Sequence, residues 1–223
     1  RVKQVFHDAK TIGLEPTQCP TLYNNGYGGH DIQGIGDKHV TWIHNVLNMD
    51  AIICIDDIEC KKGLQVLTDE AGHEVLTKRY GVAADKVRQI STLFGISGVC
   101  NVLGAIKTAK HYQLGKNDVI VTICTDAIDR YHSVMADMAR DYGAIDDARG
   151  MAYMEAIFHG QKTDWIKDGT PDMRRQWHNL KYYSRVEQQG KTVEELDAQK
   201  NPELWVKHQR LVPEMDKRIA ERR

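Results

Sequence analysis

Leu93-Phe94-Gly95-Ile96-Ser97-Gly98-Val99-Cys100-Asn101 joins a short apolar run to a small Gly-Ile-Ser-Gly turn. From Val99 to Tyr112 the chain continues as a helical pattern, with Val102, Leu103, Ile106 and Ala109 on one stripe. A glycine-flanked hydroxyl at a helix N-terminus lies beside unpaired backbone N–H donors, with no bulky neighbour in the way. Ser97 thus has two readings, an ordinary N-cap or a hydroxyl presented to a ligand. Working outward, Leu114 to Asp118 is a turn, Val119 to Cys124 an apolar run suited to a central strand, and Ser133 to Asp141 a helix. Upstream, Lys10 to Glu15 is a strand closed by Pro16, and the nearly continuous apolar run Ala51 to Ile55 suits a strand buried on both faces. Asp57 to Tyr80 predicts one helix, with Leu64, Leu67, Ala71, Val75 and Leu76 at helical spacing and Gly81 as its stop. Val82 to Leu93 is polar and helix-compatible, Pro20 to Gly29 is a loop, and Val40 to Leu47 is a short helix or irregular.

Strands alternating with helices predict an α/β fold: a three-layer, largely parallel sheet with helices on both faces. Open sheets of that kind bind ligands beyond the carboxyl ends of their strands, where Thr125 and Asp126 would sit. From Ile145 onward charge and aromatic residues dominate, as in Arg174-Arg175-Gln176-Trp177-His178, so residues 1–144 form the core and 145–223 an α-helical extension. A basic and aromatic cluster is able to hold nucleic acid by phosphate contacts and stacking. Glu187, Glu194, Glu195 and Asp197 follow at once, and amphipathic helices packing on the body or on a second subunit are the better account. Thr192 with Glu194 and Glu195 marks a helix start.

The chain has 223 residues, 30 basic against 31 acidic, so no global field recruits nucleic acid or an anionic membrane. No apolar run is long enough to span a bilayer, and the charged start lacks the apolar centre of a signal peptide. Cys19, Cys54, Cys60, Cys100 and Cys124 form no Cys-x-x-Cys pair, which argues for reduced thiols in a cytoplasm-like compartment. His30, His39 and His44 lack the spacing of helical zinc ligands, and Asp126 with Asp129 opens a helix more simply than it holds magnesium, so no metal is expected.

Ile12-Gly13-Leu14-Glu15-Pro16, Gly34-Ile35-Gly36, Gly95-Ile96-Ser97-Gly98 and Arg130-Tyr131 occur in an order that resembles the C-terminal part of the cysteine synthase group of pyridoxal-phosphate enzymes, the fold type II or tryptophan-synthase-β-like class. The resemblance ends near Met135 and does not reach the extension. It implies pyridoxal 5'-phosphate as cofactor and β-elimination or β-replacement on an amino-acid substrate, as a lyase or transferase. Other amino-acid lyase or carbon-carbon bond chemistry, and a non-catalytic type II scaffold used as an assembly subunit, stay open as alternatives. In that family the lysine that holds the cofactor and the loop around its phosphate precede the Glu-Pro strand. The expectation is therefore a C-terminal piece, partnered by the upstream part of the enzyme in the same or a separate chain, within a homodimer or higher oligomer.

The resemblance places Ser97, following Gly95, at the pyridine nitrogen of the cofactor, where a neutral hydroxyl leaves the ring unprotonated. Asp126, after Thr125, is the competing candidate, because a carboxylate there would hold a proton on that nitrogen. The preferred reading gives the nitrogen to Ser97 and leaves Asp126 to bind a backbone amide or water. Gly34, Ile35 and Gly36 match the family segment at the active-site mouth, and the third glycine of a dinucleotide fingerprint is absent. Asp37, Lys38 and His39 depart from the family's small apolar residues and are candidates for a polar or anionic second substrate, with solvated surface charge as the alternative.

Overall fold

The computed structural model describes residues 2–222, which divide into two compact units. The first takes in residues up to Lys38 and from Asp50 to Asp168; the second comprises His39–Met49 and Gly169 onward. The change of composition at 145 is therefore not the boundary of packing. Residues 145–168 belong to the first unit, and the early loop His39–Met49 belongs to the second.

In the first unit, β1 (Ile12–Pro16) pairs in parallel with β2 (Ala51–Ile55), with Ile12 opposite Ala51 and Pro16 opposite Ile55. The β2 residues Ala51, Ile52, Ile53, Cys54 and Ile55 are all buried, as an apolar run without alternation requires. The third strand, β3 (Ile166–Asp168), pairs antiparallel with β2. It lies in the region assigned by composition to the helical extension. The architecture is α/β with a small mixed sheet in the order β1-β2-β3.

Val119–Cys124 does not join this sheet, contrary to the expectation of a central strand. It carries no regular secondary structure and has no ladder partner among the described residues, and Val119, Val121 and Ile123 stand 83%, 87% and 69% exposed. The composition is that of a buried strand, but the segment pairs with neither outer strand of the sheet, β1 or β3.

The longer helices of this unit are α1 (Asp57–Thr68), α2 (Glu70–Lys78), α3 (Ala84–Ser91), α4 (Ile96–His111), α5 (His132–Tyr142) and α6 (Asp147–Tyr153). The helix expected over Asp57–Tyr80 is two. Asp69 ends α1 and turns its carboxylate onto the Ala71 N–H at 3.1 Å, so an aspartate that competes with the helix backbone caps the next segment instead. Asp56 caps α1 in the same way, accepting from Ile58 and Glu59 N–H. One apolar cluster runs from Ile53 and Ile55 of the sheet through Leu64, Leu76, Val99 and Leu103 of the helices to Tyr131 and Ile157.

Glu15, near the end of β1, is buried and accepts from the Leu22 and Tyr23 N–H groups at 2.8 and 3.2 Å. Burial nevertheless pushes its carboxyl up to about 7, against a usual 4.5. The folded chain therefore binds a proton here that the unfolded chain has lost, and stability falls as pH rises from 4.5 to about 7. The full shift corresponds to about 3 kcal/mol. Glu15→Gln, which resembles the protonated acid, is expected to flatten this part of the stability profile in urea unfolding; a parallel profile in wild type and variant would contradict it.

The second unit contains α7 (Pro171–Lys181), α8 (Val193–Ala198), α9 (Pro202–Arg210) and α10 (Val212–Ala220). Thr192 and Glu195 form the reciprocal cap expected from the sequence, with Thr192 Oγ1 accepting from Glu195 N–H and the Glu195 carboxylate from Thr192 N–H. Of residues 40–47, only Val46 and Leu47 are helical, in the single turn Val46–Asn48. The rest of that loop is held by a buried ammonium: Lys181 Nζ donates to the Trp42 and His44 carbonyls at 3.1 and 2.6 Å and to Gln199 Oε1 at 2.7 Å. Burial pushes this ammonium down to about 8, so it still carries its charge near neutrality. Lys181→Met strands the acceptors and is expected to destabilise the second unit by about 2 kcal/mol. Denaturant unfolding followed by fluorescence of Trp42, Trp177 and Trp205 checks this; an unchanged midpoint would contradict it.

Candidate functional site

Helix α4 starts earlier than its apolar stripe suggests. Gly95 occupies the N-cap position in extended conformation and Ser97 lies inside the first turn. No side chain caps this helix, so Ser97 is not an N-cap. It is 1% exposed, and its hydroxyl is turned away from the helix backbone toward the segment after Cys124. Asn101, one turn further on, donates from Nδ2 to the Ile123 carbonyl at 2.7 Å and fixes that segment against α4.

Thr125 and Asp126 are thereby brought to Ser97. Ser97 Oγ contacts Thr125 Oγ1 directly and lies 3.4 Å from Asp126 Oδ1, which also accepts from Thr125 Oγ1 at 3.3 Å. The other carboxylate oxygen, Oδ2, accepts from the Tyr131 hydroxyl at 2.5 Å. Tyr131 is buried, and burial together with the facing carboxylate pushes its phenol up to about 12. It therefore remains a donor throughout the physiological range. Asp126 was expected to bind a backbone amide or water; its partners are the Tyr131, Thr125 and Ser97 hydroxyls. A Cβ at Gly95 would overlap both the Asp126 carboxylate and the Tyr131 ring, so the glycine serves close approach.

The second group of candidate residues forms a separate feature. The side-chain hydrogen bonds of Ser97, Thr125 and Asp126 run among themselves and to Tyr131, and none reaches Gly34, Ile35, Gly36, Asp37 or Lys38. Gly34 and Gly36 adopt φ of +87° and +83°, which side chains disfavour, and Gly36 lies against the Pro16 ring at the end of β1. Their glycines thus answer a backbone requirement. Ile32 and Ile35 join the same apolar cluster as Ile96 and Tyr131, which ties the loop to the core beneath the polar network. The Asp37 carbonyl accepts from Thr21 Oγ1 at 2.6 Å, and the Lys38 ammonium stands 6.0 Å from the Tyr27 ring centroid. His39 begins the loop that belongs to the second unit.

Sequence reasoning missed Tyr131 as a member of the site, although it quoted Arg130-Tyr131 for the order of motifs. The available signal was its spacing: five residues after Asp126, across a tight turn, a tyrosine can return to that carboxylate.

Among the described residues no group of three or more His, Cys, Asp or Glu side chains gathers as a metal site, and no single helix is long and apolar enough to cross a membrane. Cys19, Cys54, Cys60 and Cys100 are buried free thiols, and Cys124 is an exposed one. Burial raises the Cys54 and Cys60 thiols and keeps them protonated. Comparison of the chain with family models, curated proteins and solved structures gives no match.

Proposed function

We propose that this chain is part of a pyridoxal-phosphate-dependent enzyme that performs β-elimination or β-replacement on an amino acid, with Ser97 as the partner of the pyridine nitrogen. The observation that carries this reading is the Ser97 hydroxyl: buried, outside any capping role, and linked to Thr125 and Asp126. Its separation of 3.4 Å from Asp126 exceeds an ordinary O–H···O bond. The hydroxyl proton is thus free to turn to a neutral acceptor when the single Thr125 hydroxyl proton is given to the Ser97 oxygen instead of to Asp126 Oδ1.

These residues fit one end of the cofactor. When bound, the cofactor supplies an electron sink for the bond-breaking at the substrate. Ser97 would donate a single neutral hydrogen bond to the ring nitrogen, and Thr125 would orient that hydroxyl. Asp126, engaged by the Tyr131 hydroxyl, would support the serine without protonating the ring. Gly34, Ile35 and Gly36 would line the mouth, and Asp37, Lys38 and His39 would meet a polar second substrate. In this reading the sheet is the remainder of a three-layer, largely parallel one, and residues outside the chain supply the covalent attachment and phosphate cradle, in a homodimer or higher oligomer.

The test is absorbance. Protein isolated from its source should show a cofactor band that shifts when cysteine, serine or O-acetylserine is added. A protein with no such band, and none after reconstitution with pyridoxal phosphate, would defeat the proposal in favour of a scaffold role.

A further inference from the structure

Helix α6 does not stop at Tyr153 but continues as a π-helix over Met154–His159. Gly160 N–H donates to the Glu155 carbonyl five residues back, at 2.7 Å. Bonds of that span bring residues five apart onto one face, so His159 joins Met154 and Phe158 on the side that meets α1 and α4. Gly63 of α1 admits the close approach, since a Cβ there would press on the Phe158 ring and on Val99 of α4. Between these elements and α2 lies an open cavity of about 540 Å³, a size that suits a small organic molecule. Ile106, Met154 and Phe158 form its walls, and Leu67 and Leu76, 8% and 3% exposed, form a floor that a slender chain reaches and a broad protein surface does not.

Two polar side chains complete the lining, Lys110 and His159, and both are exposed. Lys110 follows Ile106 by one turn of α4, and its ammonium donates to the His159 and Gln161 carbonyls at 2.7 Å each, which uses two of its three N–H groups. His159 Nδ1 lies 3.1 Å from Glu155 Oε1, and the Tyr80 hydroxyl donates to the same oxygen at 2.7 Å. The imidazole is thereby held in place with Nε2 left for a ligand. We propose that this cavity binds an aliphatic monocarboxylate, a fatty acid of medium chain length, with its chain among Ile106, Met154 and Phe158 and its carboxylate on the remaining Lys110 N–H and on His159. Charge decides between head groups. One ammonium beside Glu155 matches a single negative charge, whereas a phosphate dianion would face that carboxylate with one cation to balance it. The cavity lies about 20 Å along α4 from Ser97, so the inference does not depend on the cofactor reading.

Calorimetric titration of the full chain with decanoate tests this. Decanoate is expected to bind saturably, and decanol, which lacks the charge, about tenfold more weakly. Lys110→Met should remove that difference, and Lys110→Arg should keep it. Ile106→Trp, which fills the cavity and leaves Lys110 and His159 in place, should abolish binding of both compounds, with circular dichroism showing that the helices persist. No saturable binding, equal affinity of decanol and decanoate, or decanoate affinity unchanged in both Lys110→Met and Ile106→Trp would each overturn the proposal. It would also be overturned by protein isolated from its source in which an amine cross-linker ties Lys110 to another polypeptide and decanoate binds only once that polypeptide is removed, since the cavity would then be a protein contact. The titrations are made without pyridoxal phosphate, so their outcome is separate from that of the cofactor test.

Discussion

Ser97→Asp is expected to lower turnover of the cofactor-loaded protein about a thousandfold, the equivalent of about 4 kcal/mol in the transition state. The new carboxylate would face the ring nitrogen and hold a proton on it by charge pairing, reversing the polarity that a neutral hydroxyl sets. It would also stand beside Asp126, whose oxygen lies 3.4 Å from the native hydroxyl, so two carboxylates would share a buried site. Ser97→Ala removes one neutral hydrogen bond, worth about 0.5–1.5 kcal/mol, and cofactor affinity should fall only modestly. Turnover should fall more than affinity, because the interaction at the nitrogen is felt most where the ring accepts electrons. Single-turnover rates and cofactor titrations of both variants separate these effects. Since Ser97 does not cap its helix, a purely structural role predicts lost stability with unchanged rates and spectrum, and that result would remove Ser97 from the site.

Gly95→Ala is expected to cost about 3 kcal/mol in stability, at the upper end of overpacking penalties, and to abolish the organised cluster. The backbone at Gly95 is extended and open to any residue, so the effect does not arise from conformational freedom. It arises from space: the added methyl would meet the Asp126 carboxylate and the Tyr131 ring, which hold each other at 2.5 Å. Tyr131→Phe distinguishes the two components, since it deletes the hydrogen bond and leaves the volume. Thermal unfolding should rank the variants with Gly95→Ala the less stable; equal stability of Gly95→Ala and wild type would show that the cluster yields.

The parts of the fold carried by local chemistry were legible. The run Ala51–Ile55 announces a buried strand, Thr192 and Glu195 announce a helix start, and both form as the residues require. Helix boundaries were less so. Asp69 divides a continuous apolar periodicity, because an aspartate's preference for the N-cap outweighs the pattern around it. Of the two readings of Ser97, the cap rested on serine's preference for that position, whereas the N-cap is Gly95 and the serine hydroxyl finds a partner distant in sequence. Val119–Cys124 shows the limit most plainly: its composition fits a buried strand, but strand formation depends on a neighbour, and among the described residues the segment pairs with none. Ile166–Asp168 is the converse, a short polar-flanked stretch that becomes a strand only because β2 has an open edge.

The most direct test of the central claim is the ¹⁵N chemical shift of pyridine-labelled cofactor bound to protein isolated from its source. The account predicts an unprotonated ring nitrogen in the wild type that becomes protonated in Ser97→Asp. A protonated nitrogen in the wild type, unchanged in Ser97→Ala, would contradict it and pass the role to Asp126.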